Sequence, residues 1–222
     1  MYRSVYIFDM NGVIVDDEHL HEKATKYVLK KYGYVCTTAD YKQYFAGRTR
    51  DAGFKNYGIV NKAIYDIHQL SEEKDYTYQQ LAKEGLRTVD HVIDFIVHLN
   101  AIGRQMAVVT GAPRKEVKHV LEGFELADYF SQIITGEDIT LSKPHPEGYL
   151  KAAAMLQVPP SACVVVEDAP NGIKAAKRAG MSCIAITTSH ARHQLSGADW
   201  ITERLSRDIL AQINPTAHSQ TV

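Results

Sequence analysis

The sequence contains few cysteines and no long hydrophobic run. Its three cysteines, Cys36, Cys163 and Cys183, are odd in number, far apart and without CxxC spacing, which argues against a disulfide framework and a thiolate zinc site. We therefore expect a reducing compartment, the cytoplasm. No run approaches the ~18 apolar residues that cross a bilayer. Asp9 and Asn11 interrupt the apolar N-terminal stretch where a signal peptide needs continuity, so neither a membrane span nor an export signal is expected.

The sequence also lacks an excess of charge of either sign. Its 25 Lys and Arg residues nearly balance its 26 Asp and Glu residues, for a formal net charge of −1. This balance provides no strong field for nucleic acid or anionic lipid, so neither is expected as a partner. Apolar residues are 45% and charged residues 23% of the 222 residues, as in ordinary soluble globular domains. The length suits one domain with a smaller insert, and we expect a monomer or a weak dimer.

Short apolar runs alternate with helical patterns through most of the chain. The runs are continuous, which is typical of buried parallel strands, and they lie at 4–8, 106–110, 132–135, 163–166 and 183–187. Helical periodicity is found at 89–103, 114–124, 146–158 and 172–181. Strands that alternate with helices predict right-handed βαβ crossovers. The pattern therefore indicates an α/β fold with an open parallel sheet and helices on both faces.

One stretch departs from this alternation. Between the first and second apolar runs the sequence is polar, rich in Tyr and Lys and helical in period, and it contains no run typical of a strand. It is too long for one crossover helix. We therefore expect an inserted helical subdomain at residues 17–85, joined by hinges near 14–18 and 84–89 to a core made of residues 1–16 and 86–222.

Polar residues follow four of the predicted strands. They are Asp9 after the first strand, Thr110 and Gly111 after the second, Lys143 on the loop after the third, and Glu167 and Asp168 after the fourth. Ligands of parallel α/β sheets bind beyond the carboxyl ends of the strands. Carboxylates attract a hard cation such as Mg²⁺, while a hydroxyl, an ammonium and backbone N–H groups can hold phosphoryl oxygens. The sequence therefore predicts a site for phosphate and a divalent cation.

Four segments in order resemble the haloacid dehalogenase-like (HAD) superfamily: FDMNGVIVDDE, VVTGAP, SKPHPEGYLKAA and VVVEDAPNGIKAAKRAGM. Within it, the chain is most similar to the β-phosphoglucomutases and sugar-phosphate phosphatases that carry a helical cap. The segments extend from residue 8 to residue 181, and the insert falls where the cap of that group falls. The resemblance implies a Rossmann-like core with an inserted α-helical cap, and a Mg²⁺-dependent phosphatase of small phosphorylated metabolites.

The resemblance also implies roles for individual core residues. Asp9 would be the nucleophile that forms an aspartyl-phosphate, and it would also bind Mg²⁺. The backbone carbonyl of Asn11 and the carboxylate of Asp168 would complete the protein ligands. Thr110, with the backbone of the residue after it, and Lys143 would bind the phosphoryl group.

Two cap residues match positions that contact substrate in the family. The segment AGRTRD at 46–51 resembles the loop that closes over substrate, which makes Arg50 the expected contact to a distal phosphate or polar group, with Arg48 as an equal competitor. His21 matches a cap position that faces the nucleophile. The alternatives are a solvated helix face for His21 and a surface ion pair for Arg50.

Asn11 departs from the family pattern, which usually has a second Asp there as general acid and base. An amide cannot lend or take a proton, although its backbone carbonyl can still bind metal. General acid–base help contributes about 10²–10⁴ in rate. Four explanations remain: a leaving group that needs no protonation, a substituting cap residue such as His21, a chain that is no longer an enzyme, or an engineered change from Asp.

These observations leave four functions open. The weakest is phosphonate hydrolysis through a cap lysine, a role that Lys23 or Lys26 would have to serve. The expected function is a phosphatase that acts through phospho-Asp9. A phosphomutase would depend on the missing acid and base, so Asn11 counts against it. A catalytically weak protein that binds phosphorylated metabolites is the alternative from a different class. Asn11 favours this alternative, whereas the joint presence of Asp9, Lys143 and Asp168 opposes it.

Overall fold

The structure is a computed structural model that describes residues 5–46 and 50–213. The chain divides into two compact units. The first comprises the described residues of Met1–Val15 and Thr88–Val222, and the second is Asp16–Arg87. The insert expected at 17–85 lies within the second unit. Its role as a cap remains a prediction.

The first unit is built on a parallel sheet of six strands. They are β1 (Val5–Phe8), β2 (Gln105–Val109), β3 (Gln132–Ile134), β4 (Cys163–Glu167), β5 (Ser182–Ile186) and β6 (Trp200–Thr202). The strand order is β3-β2-β1-β4-β5-β6. The chain therefore adds β2 and β3 on one side of β1 and then adds β4, β5 and β6 on the other side. The predicted α/β fold with a Rossmann-like parallel sheet is confirmed. The sequence prediction missed β6, because its three residues are only half-buried and form no long apolar run.

Helices surround the sheet and form the second unit. They are α1 (Glu18–Lys31), α2 (Thr38–Tyr44), α3 (Arg50–Asn61), α4 (Ile67–Gly85), α5 (Val92–Ala101), α6 (Arg114–Gly123), α7 (Glu147–Met155), α8 (Pro170–Arg178) and α9 (Arg207–Ile213). Two predicted starts were wrong by two or three residues. The helix expected from 89 begins after His91, whose φ of 63° is left-handed. The helix expected from 172 begins at Pro170, because the fixed φ of proline suits the first helical position.

The two faces of the sheet bury different side chains of β1. Val5 and Ile7 point into a cluster that includes Tyr149 of α7 and Ala176 of α8. Alternation along the strand sends Tyr6 and Phe8 to the opposite face, where both rings pack edge-on against Phe95 of α5. All four residues of β1 are buried, so the strand is covered on both sides. This burial fixes the direction in which the chain leaves β1.

The second unit is held together by side chains of α1 to α4. One cluster contains Val28, Leu29, Tyr41, Phe54, Tyr57 and Leu70, and a smaller one contains Leu20, Ala24, Tyr78 and Ala82. The described residues of this unit form helices and no strand of the sheet. No described helix of either unit has both the length and the apolar composition of a membrane span.

Candidate active site

Asp9 is the first residue after β1. Its backbone N–H donates to the carbonyl oxygen of Val166 in β4 at 3.0 Å, which holds Asp9 where the carboxyl ends of the two strands meet. The chain then turns sharply at Gly12, whose φ is 75°. A Cβ at this position would overlap the carboxylate of Asp168. Glycine therefore allows the loop after β1 to lie directly against the end of β4.

Lys143 lies between two carboxylates. Its Nζ donates to Asp9 Oδ1 at 2.6 Å and to Glu167 Oε1 at 2.7 Å. The carbonyl oxygen of Val109, the last residue of β2, is a third acceptor at 3.3 Å. The loop after β3 thus brings the ammonium to the ends of β1, β2 and β4. The structure thus brings Lys143 next to Asp9, and its role in binding phosphate stays a prediction.

Glu167 is almost completely buried and accepts four hydrogen bonds. Its Oε1 accepts from Lys143 and from the Tyr149 hydroxyl, each at 2.7 Å. Its Oε2 accepts from the backbone N–H groups of Asp168 at 3.1 Å and Ala169 at 3.2 Å. A side chain at Gly172 would overlap this carboxylate. Glu167 is therefore fixed in one position.

The cluster carries more negative charge than its ammonium offsets. Ligand oxygens of Asp9, Glu167 and Asp168 lie within 4.8 Å of one another. Burial raises the pKa of Asp9 to about 6, although Lys143 acts in the opposite direction, and the charge of Glu167 adds to the increase. Burial, with the charges of Glu167 and Asp9, also raises the pKa of Asp168 well above its usual value. Within this cluster, Asp9 and Asp168 fit a site for a hard divalent cation, since Glu167 already accepts four hydrogen bonds from protein donors.

Thr110 and Asn11 lie close together beside this cluster. The Thr110 hydroxyl oxygen is 3.5 Å from Asn11 Oδ1, which is at the limit of a hydrogen bond. The same hydroxyl accepts from the backbone N–H of Ala112 at 3.1 Å. Thr110 thus shapes the turn after β2, and Gly111 is exposed within that turn.

The structure adds residues that the sequence analysis missed. The Ser189 hydroxyl hydrogen-bonds Asp168, and Nδ1 of His190 lies 3.1 Å from the backbone oxygen of Asp168. Both residues follow β5, so the rule that selects polar residues after buried strands could have found them. Tyr149 gave no such signal, because it occupies a buried position of a helix, where a tyrosine is usually part of the core.

His21 lies within a polar cluster of the second unit. Its Nε2 is 3.3 Å from Asp17 Oδ2, and its Nδ1 is 2.8 Å from Lys74 Nζ. A lysine ammonium can only donate, so Nδ1 is the acceptor and Nε2 carries the hydrogen toward Asp17. The ring stacks on Tyr78 with centroids 4.1 Å apart, and the Tyr78 hydroxyl donates to Asp17 at 2.6 Å. The side chain of His21 is only 14% exposed, so the alternative of a solvated helix face is wrong.

The other predicted residues of the insert are only partly described. Arg50 is the first residue of α3, but its side chain lies outside the described part of the chain. Arg48 also lies outside the described residues. Next to Arg50, Asp51 accepts a hydrogen bond from Ser71 of α4 at 2.7 Å, which links α3 to α4.

The sequence matches the family model described as haloacid dehalogenase-like hydrolase over residues 6–186. The chain belongs to this family. Two curated relatives of the HAD-like chain are phosphatases. The validoxylamine A 7'-phosphate phosphatase of Streptomyces hygroscopicus subsp. limoneus is 29% identical over 97% of this chain and 100% of that protein. The fructose-1-phosphate phosphatase YqaB of Escherichia coli K12 is 31% identical over 81% of this chain and 94% of that protein.

Solved HAD-like structures share the fold. CbbY from Rhodobacter sphaeroides in complex with phosphate has 25% identity and a TM-score of 0.82, over 91% of this chain and 94% of that one. A variant of CbbY with Asp replaced by Asn, in complex with xylulose-(1,5)bisphosphate, has 26% identity and the same TM-score and coverage. The β-phosphoglucomutase of Clostridium difficile, at 22% identity and a TM-score of 0.83 over 96% of each chain, shows the fold alone. The predicted HAD-like family and hydrolase class are confirmed.

Proposed function

We propose that the chain is a Mg²⁺-dependent phosphatase of small phosphorylated metabolites that acts through phospho-Asp9. The observation that carries this proposal is the contact of Asp9 with Lys143 at 2.6 Å, in a cluster that also contains the carboxylate of Asp168. The curated relatives support the substrate class, because they are named as phosphatases of a fructose phosphate and of validoxylamine A 7'-phosphate.

The residues at the end of the sheet fit a bound Mg²⁺. All four hydrogen bonds of Glu167 come from protein donors, so Asp9 and Asp168 are the carboxylates that would hold the ion. The backbone carbonyl of Asn11 would be the third protein ligand. Bound Mg²⁺ would offset the negative charge of the phosphoryl oxygens. Its positive charge would also favour the ionised forms of the two aspartates, whose pKa values are raised by burial and, to a smaller extent, by the neighbouring carboxylates.

The remaining residues would hold and transfer the phosphoryl group. The Asp9 carboxylate would attack phosphorus while the bond to the ester oxygen breaks, and water would then hydrolyse phospho-Asp9. Lys143 would donate to the phosphoryl oxygens in place of its present contact with Asp9. The Thr110 hydroxyl and the backbone N–H of Gly111 would hold the other oxygens.

Asn11 limits the chemistry that this site can catalyse quickly. Its amide supplies no proton to the departing oxygen, so esters with weakly basic leaving groups would react fastest. The same property supports a second function, a catalytically weak protein that binds phosphorylated metabolites. A variant of CbbY in which an Asp is replaced by Asn is in complex with xylulose-(1,5)bisphosphate, which supports ligand binding by a HAD-like protein that carries an Asp-to-Asn change. A phosphomutase is disfavoured, because it would need the missing acid and base in both half-reactions.

The helical unit would recognise the part of the substrate that does not react. We propose His21 and Arg50 as its substrate-binding residues. The contact between His21 and Lys74 at 2.8 Å supports adding Lys74, because a histidine side chain that is only 14% exposed would hold this ammonium in a defined position. Such remote contacts assist the reaction only when the substrate has a group for them to bind.

The test replaces Asp9 and follows Mg²⁺-dependent hydrolysis of p-nitrophenyl phosphate. Asp9→Asn and Asp9→Ala should abolish turnover and should remove the phosphorylated aspartate that acid quenching and peptide mass spectrometry detect in the parent. Asp16→Asn is the matched control, because Asp16 is an exposed aspartate of the same segment, and it should keep the parent rate. Turnover by either Asp9 variant at the parent rate would reject the mechanism.

A further inference from the structure

We propose that Tyr149 is a positioning residue that controls how Lys143 divides its hydrogen bonds between Glu167 and the reacting group. The inference rests on the proposed function, in which Lys143 holds the transferred phosphoryl group. It concerns a residue on α7, behind the residues that would touch the substrate. Tyr149 would act only through its contacts with Glu167 and Lys143.

Tyr149 contacts both members of the ion pair between Lys143 and Glu167. Its hydroxyl donates to Glu167 Oε1 at 2.7 Å, the same oxygen that Lys143 binds at 2.7 Å. The Nζ of Lys143 also lies 5.1 Å from the centroid of the Tyr149 ring, within the range of a cation–π interaction. Tyr149 is 1% exposed, so water does not replace its hydroxyl at this oxygen. The tyrosine therefore influences both the carboxylate and the ammonium.

Oε1 of Glu167 accepts from both the Tyr149 hydroxyl and Lys143. The hydrogen bond from the hydroxyl disperses part of the negative charge of Oε1. This oxygen is therefore a weaker acceptor for Lys143. Glu167 cannot turn to offer its other oxygen, because two backbone N–H groups hold Oε2. Lys143 consequently keeps a contact with Asp9 Oδ1 at 2.6 Å rather than pairing with Glu167 alone. An ammonium held in this way can donate to a phosphoryl group that arrives at Asp9.

The local structure ties Tyr149 to the loop that carries Lys143. The carboxylate of Glu147, the first residue of α7, accepts from the backbone N–H groups of Thr140 at 2.7 Å and Leu141 at 2.8 Å, which closes the loop. Gly148 follows, and a Cβ there would lie 2.8 Å from a methyl group of Val109. The start of α7 is thus packed closely against β2, so Tyr149 is placed by the same contacts that place Lys143.

Tyr149→Phe separates the hydroxyl from the ring, because phenylalanine keeps the aromatic face and most of the buried volume. Without the hydroxyl, Lys143 should pair more strongly with Glu167 and donate less to phosphate. We expect kcat with p-nitrophenyl phosphate to fall about tenfold, the size of one hydrogen bond to a charged group. The affinity for inorganic phosphate should fall by a similar factor. Mg²⁺ affinity should change by less than about twofold, since Asp9 and Asp168 are untouched.

A double-mutant cycle distinguishes positioning from a general structural role. In a Glu167→Gln background, Tyr149→Phe should change phosphate affinity by less than about twofold, because its partner is already altered. Tyr6→Phe is the matched control: Tyr6 is a buried tyrosine of β1 on the other face of the sheet, and its substitution should leave phosphate affinity unchanged.

Three results would overturn the proposal. The first is a Tyr149→Phe protein with the parent kcat and phosphate affinity. The second is an equal loss of phosphate affinity in both backgrounds of the cycle. The third is an unfolded Tyr149→Phe protein by circular dichroism, which would make the hydroxyl a group needed for folding. A parent that does not hydrolyse p-nitrophenyl phosphate would reject the proposed function, whereas calorimetry with inorganic phosphate would still decide the role of Tyr149.

Discussion

The two units of the chain contain the same three kinds of side chain in different arrangements. In each, a tyrosine hydroxyl donates to a buried carboxylate: Tyr149 to Glu167 at 2.7 Å in the first unit, and Tyr78 to Asp17 at 2.6 Å in the second. In each, a lysine ammonium lies near the tyrosine ring, at 5.1 Å for Lys143 and 5.4 Å for Lys74. The shared pattern makes the differences between the clusters informative.

The main difference is whether another side chain lies between the lysine ammonium and the carboxylate that accepts from the tyrosine. Lys143 contacts Glu167 directly and reaches Asp9 as well, so it can change partner when an anion binds. In the helical unit the imidazole of His21 lies between Lys74 and Asp17. The first arrangement suits transient binding of a phosphoryl group. The second holds both ring nitrogens of His21 against fixed neighbours, which favours orientation and stability.

The largest effect that we predict concerns Mg²⁺ binding by the first cluster, which comprises Asp9, Lys143, Glu167 and Asp168. Asp168→Ala should weaken Mg²⁺ binding by more than about 100-fold, beyond the roughly 10–100-fold that groups outside the ligand shell contribute. It should not lower stability in metal-free buffer, because burial and nearby carboxylates raise the pKa of Asp168 and so disfavour its charged form in the folded state.

Asn11→Ala is the matched variant, because position 11 would bind the ion through its backbone carbonyl. Calorimetric titration with MgCl₂ should show near-parent affinity for this variant. The reverse order, with a large loss for Asn11→Ala and a small one for Asp168→Ala, would reject the proposed ligand set.

The next effect concerns the acid and base that the first cluster lacks. Asn11→Asp should raise the steady-state rate by about 10²-fold, the lower end of acid–base contributions. The parent should phosphorylate Asp9 in a rapid burst with p-nitrophenyl phosphate and then turn over slowly, because no side chain at position 11 activates the attacking water. Rapid-quench kinetics on both proteins measures the burst and the steady rate. A sugar phosphate hydrolysed as fast as the aryl ester, without a burst, would show that another residue supplies the proton.

The same comparison explains how far the sequence could predict the site. Asp9 and Asp168 directly follow the buried strands β1 and β4, and the carboxyl ends of parallel strands meet at one edge of the sheet. Asp9 and Asp168 were therefore predictable as neighbours although they are far apart in the sequence. Tyr149 was not predictable in the same way, because its hydroxyl reaches Glu167 from inside a helix, and a core tyrosine has the same pattern.

The polar cluster around His21 in the second unit was harder to predict for a physical reason. Asp17, the residue just before α1, lies four residues before His21, and Lys74 lies four residues before Tyr78 on α4. This spacing places the two members of each pair on one side of their helix. Nothing in the spacing tells which faces of two helices pack together, so the contact between His21 and Lys74 required the structure. The strand β6 was missed for a similar reason, since a half-buried run of three residues has no distinctive pattern.

The smallest effect that we predict concerns the polar cluster of the second unit, which comprises Asp17, His21, Lys74 and Tyr78. It tests whether this cluster stabilises the fold. Asp17→Ala would leave the Tyr78 hydroxyl and the Nε2–H of His21 without their shared acceptor. An unsatisfied buried donor costs about 1–3 kcal/mol, so we expect the free energy of unfolding in urea to fall by about 2 kcal/mol. Asp16→Ala is the matched control, because Asp16 is exposed and its neighbour Asp17 is fully buried. Mg²⁺ affinity should stay at the parent value, since Asp17 is not a proposed ligand. A stable Asp17→Ala protein with weakened Mg²⁺ binding would reverse the assignment, giving this carboxylate a role in the metal site.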